Sequence, residues 1–175
     1  MKRLICTALL LLATSAAYAE NWMVNPNVQD DDKPWEEQKF TLPDYPANPE
    51  WLEFHVGNAY KNKAYIDSKT AQIGEDAAVR VIVRVVSPSG AENISYEGLR
   101  CKNREINIYA YGDTYNKRWI TATRRDWRSI LEGDQMNLRL VRLICEDATP
   151  KSNEALVNLF REDAVQKMPD RGQKY

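Results

Sequence analysis

The sequence predicts an α+β domain: a twisted antiparallel β-sheet of five or six strands, packed with C-terminal helices and stapled by a disulfide. Three observations carry this. Val79, Val81, Val83 and Val85 alternate with Arg80 and Arg84, the period-2 mark of a strand with two unlike faces. Leu156, Leu159, Phe160 and Ala164 recur at helical spacing near the C-terminus. Cys101 and Cys145 follow an export-type leader, and a cysteine pair in an oxidising compartment forms a disulfide.

The leader is read from residues 1–19. Lys2 and Arg3 precede an apolar run, Leu4 to Ala13, and Ala17-Tyr18-Ala19 supplies an A-x-A cleavage site. The run is about ten residues, against roughly 20 for a membrane span. Cys6 lies inside it, and Glu20 rather than cysteine follows the small residues, so neither a membrane span nor a lipid anchor is expected. Cleavage at Ala19-Glu20 predicts a periplasmic, surface-associated or secreted chain. Of 24 basic and 25 acidic residues, removal of Lys2 and Arg3 leaves 22 and 25, a net of −3. So mild a charge selects no class of partner.

Residues 20–50 read as a Pro-rich acidic arm. Pro26, Pro34, Pro43, Pro46 and Pro49 exclude both a helix and a central strand, because proline lacks the N–H and fixes φ. Trp22, Trp35, Phe40 and Tyr45 are interleaved, more aromatic surface than a disordered tail carries. The first half, with Asp30-Asp31-Asp32, is expected to be mobile, and the second to lie across the core, anchored by Trp51 and Tyr45.

Residues 51–175 are expected to form one α+β domain. Strands are predicted over 51–54 and 60–67, with a turn at Asp67-Ser68-Lys69, and then over 79–86 with one face buried and the other wet. Ser87-Pro88-Ser89-Gly90 is a turn, since proline presets φ and glycine permits a positive one. Strands over 92–101 and 105–111 complete a meander, the latter with Ile106, Ile108 and Ala110 on one face. Residues 119–123 add one more strand. Met136, Leu140, Leu143 and Ile144 mark a helix over 134–145. Ser152 caps the last helix, Glu154 sits in its first turn, and Pro169 stops it. A Cys101–Cys145 bridge would tie sheet to helices; the alternative is two separately buried thiols.

The block Tyr65-Ile66-Asp67, Val79-Arg80, Ser87-Pro88-Ser89-Gly90-Ala91-Glu92-Asn93-Ile94-Ser95-Tyr96-Glu97-Gly98-Leu99-Arg100-Cys101, Tyr109-Ala110, Trp119 and Trp127 resembles the "cryptic neisserial protein" family, exported domains of betaproteobacteria. The resemblance covers residues 40–148 and implies export, but no activity. A weaker architectural likeness links the chain to surface-adhesin E type proteins, which pack a helix on an antiparallel sheet. The S-P-S-G-A block is not an adhesin motif, and fold alone carries no function.

No catalytic set, metal site or cofactor is predicted. Ser89 and Ser95 lie near Asn93 and Glu97, but no G-x-S-x-G is present. The single histidine, His55, would serve any triad alone. No C-x-x-C suggests redox chemistry, and two cysteines with one histidine fall short of a zinc set. Asn93-Ile94-Ser95 matches a glycosylation sequon and reads here as strand. Glu97 is expected to pair with Arg80 or Arg84 across the wet face; a cleft lined by Tyr96, Glu97 and Arg100 is disfavoured because period 2 puts Glu97 and Arg100 on opposite faces.

The strongest charge feature is residues 100–128, with a net of +5. Within it, Lys117, Arg118, Trp119, Arg124, Arg125, Trp127 and Arg128 interleave cations with aromatics, the pattern of a polyanion site. Residues 20–54 carry a net of −7, so the arm is an internal competitor for those cations. A binding or interaction module is the favoured function, its partner an envelope or surface protein or an anionic glycan. The alternatives are a small periplasmic hydrolase, built around His55 or Glu97, and an inhibitor of a hydrolase such as lysozyme, for which Asp30-Asp31-Asp32 is the candidate loop.

Overall fold

The computed structural model describes residues 34–146 and 148–166 of the chain. The leader, Asp30-Asp31-Asp32 and Pro169 lie outside the described residues. All elements belong to the unit Glu36–Tyr175. In chain order they are β1 (Trp51–Phe54), β2 (Lys63–Asp67), β3 (Gln72–Ile73), β4 (Ala78–Val86), β5 (Glu92–Arg100), β6 (Glu105–Asp113), β7 (Arg118–Thr121), β8 (Arg128–Ser129), α1 (Gln135–Ile144) and α2 (Asn153–Gln166).

One antiparallel sheet runs in the order β1-β2-β4-β5-β6-β7, with β3 beside β4 and β8 beside β6. The predicted meander is its centre: nine residue pairs join β4 to β5, from Ala78↔Arg100 to Val86↔Glu92. The turn between them closes through Gly90 N–H to the Ser87 carbonyl (2.9 Å), with Gly90 at φ 85°. Ser87 Oγ accepts from the Ala91 N–H at 3.0 Å and lies 2.9 Å from Ser89 Oγ. The most specific stretch of the family resemblance is thus hairpin chemistry, its hydroxyls already engaged.

The odd-numbered face of β4 buries Val79, Val81 and Val83 with Leu99, Phe54 and Ile66 under α1 and α2. Leu140, Val141 and Ile144 of α1 and Leu156, Val157 and Phe160 of α2 close this core, and Phe160 meets Phe54 edge to face at 5.8 Å. Asp134 caps α1, its carboxylate accepting from Asn137 N–H at 3.2 Å. Ser152 caps α2 as expected, accepting from Ala155 N–H at 3.1 Å.

The opposite face is not wet, which corrects the expectation. Ile82, Ile94, Tyr96 and Tyr109 form a second core there, covered by Phe40, Leu42, Tyr45, Trp51, Trp119 and Trp127. Residues 36–50 carry no helix or strand, as their prolines dictate, yet their aromatics supply the apolar layer this face needs. A second correction concerns β6. The register slips between Tyr96 and Glu97, so that Tyr96 faces Ala110 while Glu97 faces Ile108. One extra residue in β6 turns Ala110 away from the face of Ile106 and Ile108, which a strict period of two cannot foresee.

Candidate functional site

The arm is held to the sheet by a buried charge cluster. Arg80, 2% exposed, donates to both oxygens of Asp76, at 3.1 and 2.6 Å, and lies 3.5 Å from Glu37 of the arm. Its guanidinium stacks over the Phe40 ring at 4.5 Å. Asp76 also accepts from the Gln38 N–H at 2.9 Å. Burial works to raise the Asp76 carboxyl, but the hydrogen bonds from Arg80, Gln38 and Ala78 outweigh it and hold the group below its ordinary value. Tyr109 O–H donates to Glu37 at 2.5 Å; burial first, and that carboxylate second, push the phenol well above its usual range.

Gly98 makes this packing possible. A Cβ there would stand 2.3 Å from the Tyr109 hydroxyl and 2.9 Å from the Trp127 ring. Beside Tyr109 lie two adjoining hollows of about 400 and 450 Å³, which share Glu37, Phe40, Tyr109 and Arg125. The first also reaches Asn107, Thr123 and Asp126. The 122–127 loop joins the two short edge partners of β6, β7 beside 110–113 and β8 beside 105–106, and gives Thr123, Arg125 and Asp126 to the first hollow.

The predicted cations divide. Lys117, Arg118, Arg124, Arg125 and Arg128 are all exposed along this edge. Arg118 pairs with Asp113 at 3.1 Å, and Lys117 lies over the Tyr45 ring at 5.9 Å. Arg124, Arg125 and Arg128 have no ion-pair partner among the described residues. The arm acid near them, Glu37, is engaged by Arg80 and Tyr109 instead. The aromatics are not free stacking platforms: Trp119 donates to the Pro43 carbonyl at 2.9 Å and packs on Tyr45, while Trp127 lies edge-on to Tyr109 at 6.3 Å with Arg100 above its ring.

The other predicted residues are scattered. Cys101 and Cys145 are bonded, joining the end of β5 to the end of α1. His55 is exposed just after β1, its ring 3.2 Å from Asn58 Oδ1. Phe54, just before His55, is level with Asn93, so Glu97 lies three strands across, about 14 Å, and four residues along, about 13 Å, on the helix side of β5. This corrects the expected pairing with Arg80 or Arg84: Glu97 shares the helix-side face with Val81, while Arg80 and Arg84 lie on the other face and are bound to Asp76 and Glu92. Ser95 Oγ donates to Glu97 Oε1 at 2.5 Å, and Oε2 has no hydrogen-bond partner among the described residues. Neither hollow beside the arm includes Glu97 or His55.

Burial pushes the Glu97 carboxyl up to about 7; the Ser95 hydrogen bond and Arg128 oppose this, and Asp134 adds to it. The unfolded chain, ionising near 4.5, binds fewer protons than the fold between that value and 7. Stability therefore falls as pH rises through this window, by about 3 kcal/mol in all. Glu97→Gln is expected to restore most of that at pH 8 and change little at pH 4.5, as urea midpoints at the two values would show. Equal midpoint shifts at both would refute the assignment.

Sequence reasoning missed Asp76, Asn107 and Tyr109. The one available signal was Asp76 four residues before Arg80, which reads as an ordinary loop acid.

Among the described residues no helix is long and apolar enough to cross a membrane. No solved structure matches the chain. "Cryptic neisserial protein 1" of Neisseria gonorrhoeae (strain ATCC 700825 / FA 1090) is 27% identical over 135 residues. The match covers 68% of this chain and 66% of that relative, so the chain spans about two thirds of the relative's length. The model of the CNP1-like family matches residues 30–161, which hold the whole sheet, the arm from Glu36 onward, both disulfide-bonded cysteines and α1. The chain belongs to the CNP1-like family.

Proposed function

We propose that this protein is exported to the cell envelope, after cleavage at Ala19-Glu20, and acts there as a non-enzymatic binding module for anionic glycans. The observation that carries the reading is the row of exposed cations on the β7–β8 edge: Arg124, Arg125 and Arg128 have no ion-pair partner among the described residues, while the nearby arm carboxylate of Glu37 serves Arg80. Exposed guanidinium groups in one strip attract polyanions by charge and by bidentate hydrogen bonding. The tryptophans support the strip from beneath rather than stacking on the ligand.

The test is retention of the purified mature protein on immobilised heparin. Binding should fall roughly tenfold or more between about 50 and 200 mM salt, as expected when several cations displace counterions. Arg124→Glu with Arg125→Glu should abolish retention at the lower salt. Salt-independent retention, or retention unchanged in the double variant, would retire the reading.

A further inference from the structure

We infer that the outer edge of β7 is a docking strand: an extended acidic segment of another protein joins the sheet there, laying an apolar side chain beside Ile120 and Tyr111. This goes beyond the glycan reading and does not rest on it.

The backbone is the starting point. β7 is the last strand in the sheet order and pairs on one side, with β6. Ala122 N–H donates to the Tyr109 carbonyl at 2.9 Å, so the backbone of residue 122 points inward. Inward and outward residues alternate along an antiparallel strand, so Ile120 and Arg118 also bond β6, while Trp119 and Thr121 turn their N–H and C=O groups outward. Among the described residues these four outward groups have no backbone hydrogen-bond partner. The strand is also accessible, with Arg118, Ile120 and Thr121 exposed. The arm meets β7 through the Trp119 side chain, on the face of the second core, rather than along this rim.

Side chains select the partner. The register Val83↔Ser95↔Tyr111↔Ile120 places Tyr111 and Ile120 on the helix-side face. Val83 is buried under α1 and α2, but the helices stop short of the outer strands: Tyr111 is 41% and Ile120 52% exposed. An added strand covers such a pair, its main chain supplying affinity and its alternate side chains selection. Charge decides between occupants. Residues 113–128 hold five cations and two acids, with Lys117 at one end of β7 and Arg124 and Arg125 past the other, all exposed. Two copies joined edge to edge would bring these cations together, and a cationic edge guards against self-pairing. An acidic strand meets opposite charge at both ends.

The probe is the labelled peptide DETVTVTED, titrated into the mature protein and followed by fluorescence anisotropy. Saturable binding is expected, and the basic counterpart KKTVTVTKK should not bind. Only every second amide of an added strand faces the sheet, so N-methylation of one alternate set should abolish binding while the other set stays within about twofold. The amide protons of Trp119 and Thr121 should exchange freely in the unbound protein and slow by about tenfold or more with peptide, while that of Ile120 is protected throughout. Thr121→Pro removes one outward N–H, breaks no bond to β6 and changes no charge. It should abolish peptide binding and leave heparin retention unchanged. If that variant fails to fold, the methylated peptides and the amide exchange decide on the native protein.

No saturable binding, binding indifferent to both methylated sets, or binding without protection at Trp119 and Thr121 overturns the docking strand. So does a mature protein that dimerises and becomes monomeric as Thr121→Pro, which gives the edge to a second copy. Peptide binding that obeys these tests while heparin is not retained upholds the strand and retires the glycan reading. Heparin retention without peptide binding overturns the strand and keeps the glycan reading.

Discussion

Arg80→Ala is expected to destabilise the protein by about 3–5 kcal/mol, the range for breaking a buried ion pair by removing one partner. The pair sits where water cannot replace the lost charge: the Arg80 side chain is 2% exposed and that of Asp76 is 3% exposed. Without the guanidinium, the Asp76 carboxylate loses its two-point charged partner, while the backbone donors of Gln38 at 2.9 Å and Ala78 at 3.1 Å remain. Glu37 loses its cation as well, and Phe40 loses the group stacked on it. Arg80→Lys should recover only part of the loss, because an ammonium cannot reach both carboxylate oxygens as a planar fork does. Arg80→Met with Asp76→Leu, which removes both charges together, should lie nearer the native protein than Arg80→Ala.

The consequence reaches the candidate site through the arm. Residues 36–50 are joined to the sheet by Glu37 and Gln38 at this cluster, by Phe40 and Tyr45 in the second core, and by the Pro43 carbonyl on Trp119. Arg80→Ala weakens the first attachment, which keeps the Gln38 N–H bond to Asp76 and the Tyr109 bond to Glu37, and leaves the others. Proteolysis of the native variant should therefore begin at Lys39, before global unfolding, with cleavage faster than in the native protein. Urea midpoints give the stability change. A loss below about 1 kcal/mol, with the arm still resistant, would show that the cluster is incidental to the fold.

How far the sequence discloses this depends on whether a signal is local. The valines of β4 announce the strand because backbone pleating is a property of neighbours, and Ser152 announces α2 because capping is too. What covers the second face is not local. Arg80 reads as solvent-facing by type; its burial follows from Asp76 and from an arm more than 40 residues away in sequence. The aromatics between the prolines hinted that the arm packs, but not that it buries an arginine. β3 and β8, two residues each, exist only because β4 and β6 offer them hydrogen bonds, and so short a run has no period to read. The basic edge was visible as charge. The hollow beside it was not, since its lining comes from the arm, β6 and the 122–127 loop, which only the fold brings together.

Removing the disulfide, with Cys101→Ser and Cys145→Ser together, is expected to cost about 4 kcal/mol, from a closed loop with a sequence separation of 44. The cost arises mainly in the unfolded chain, which gains freedom once the end of β5 is released from the end of α1. The folded contacts stay: α1 keeps Leu140, Val141 and Ile144 in the helix-side core, and β5 keeps both of its strand neighbours. The native spectrum of the variant should therefore match the parent's while its urea midpoint falls, and the urea slope should steepen as the released chain exposes more surface on unfolding. Reduction of the parent by dithiothreitol should reproduce the same midpoint. Thiol labelling of the native parent should find neither Cys101 nor Cys145 free. A variant whose midpoint is unchanged would place the stabilisation elsewhere. A variant with a lowered midpoint but an altered native spectrum would mean that the bond shapes the fold itself, holding α1 against the sheet rather than restricting the unfolded chain.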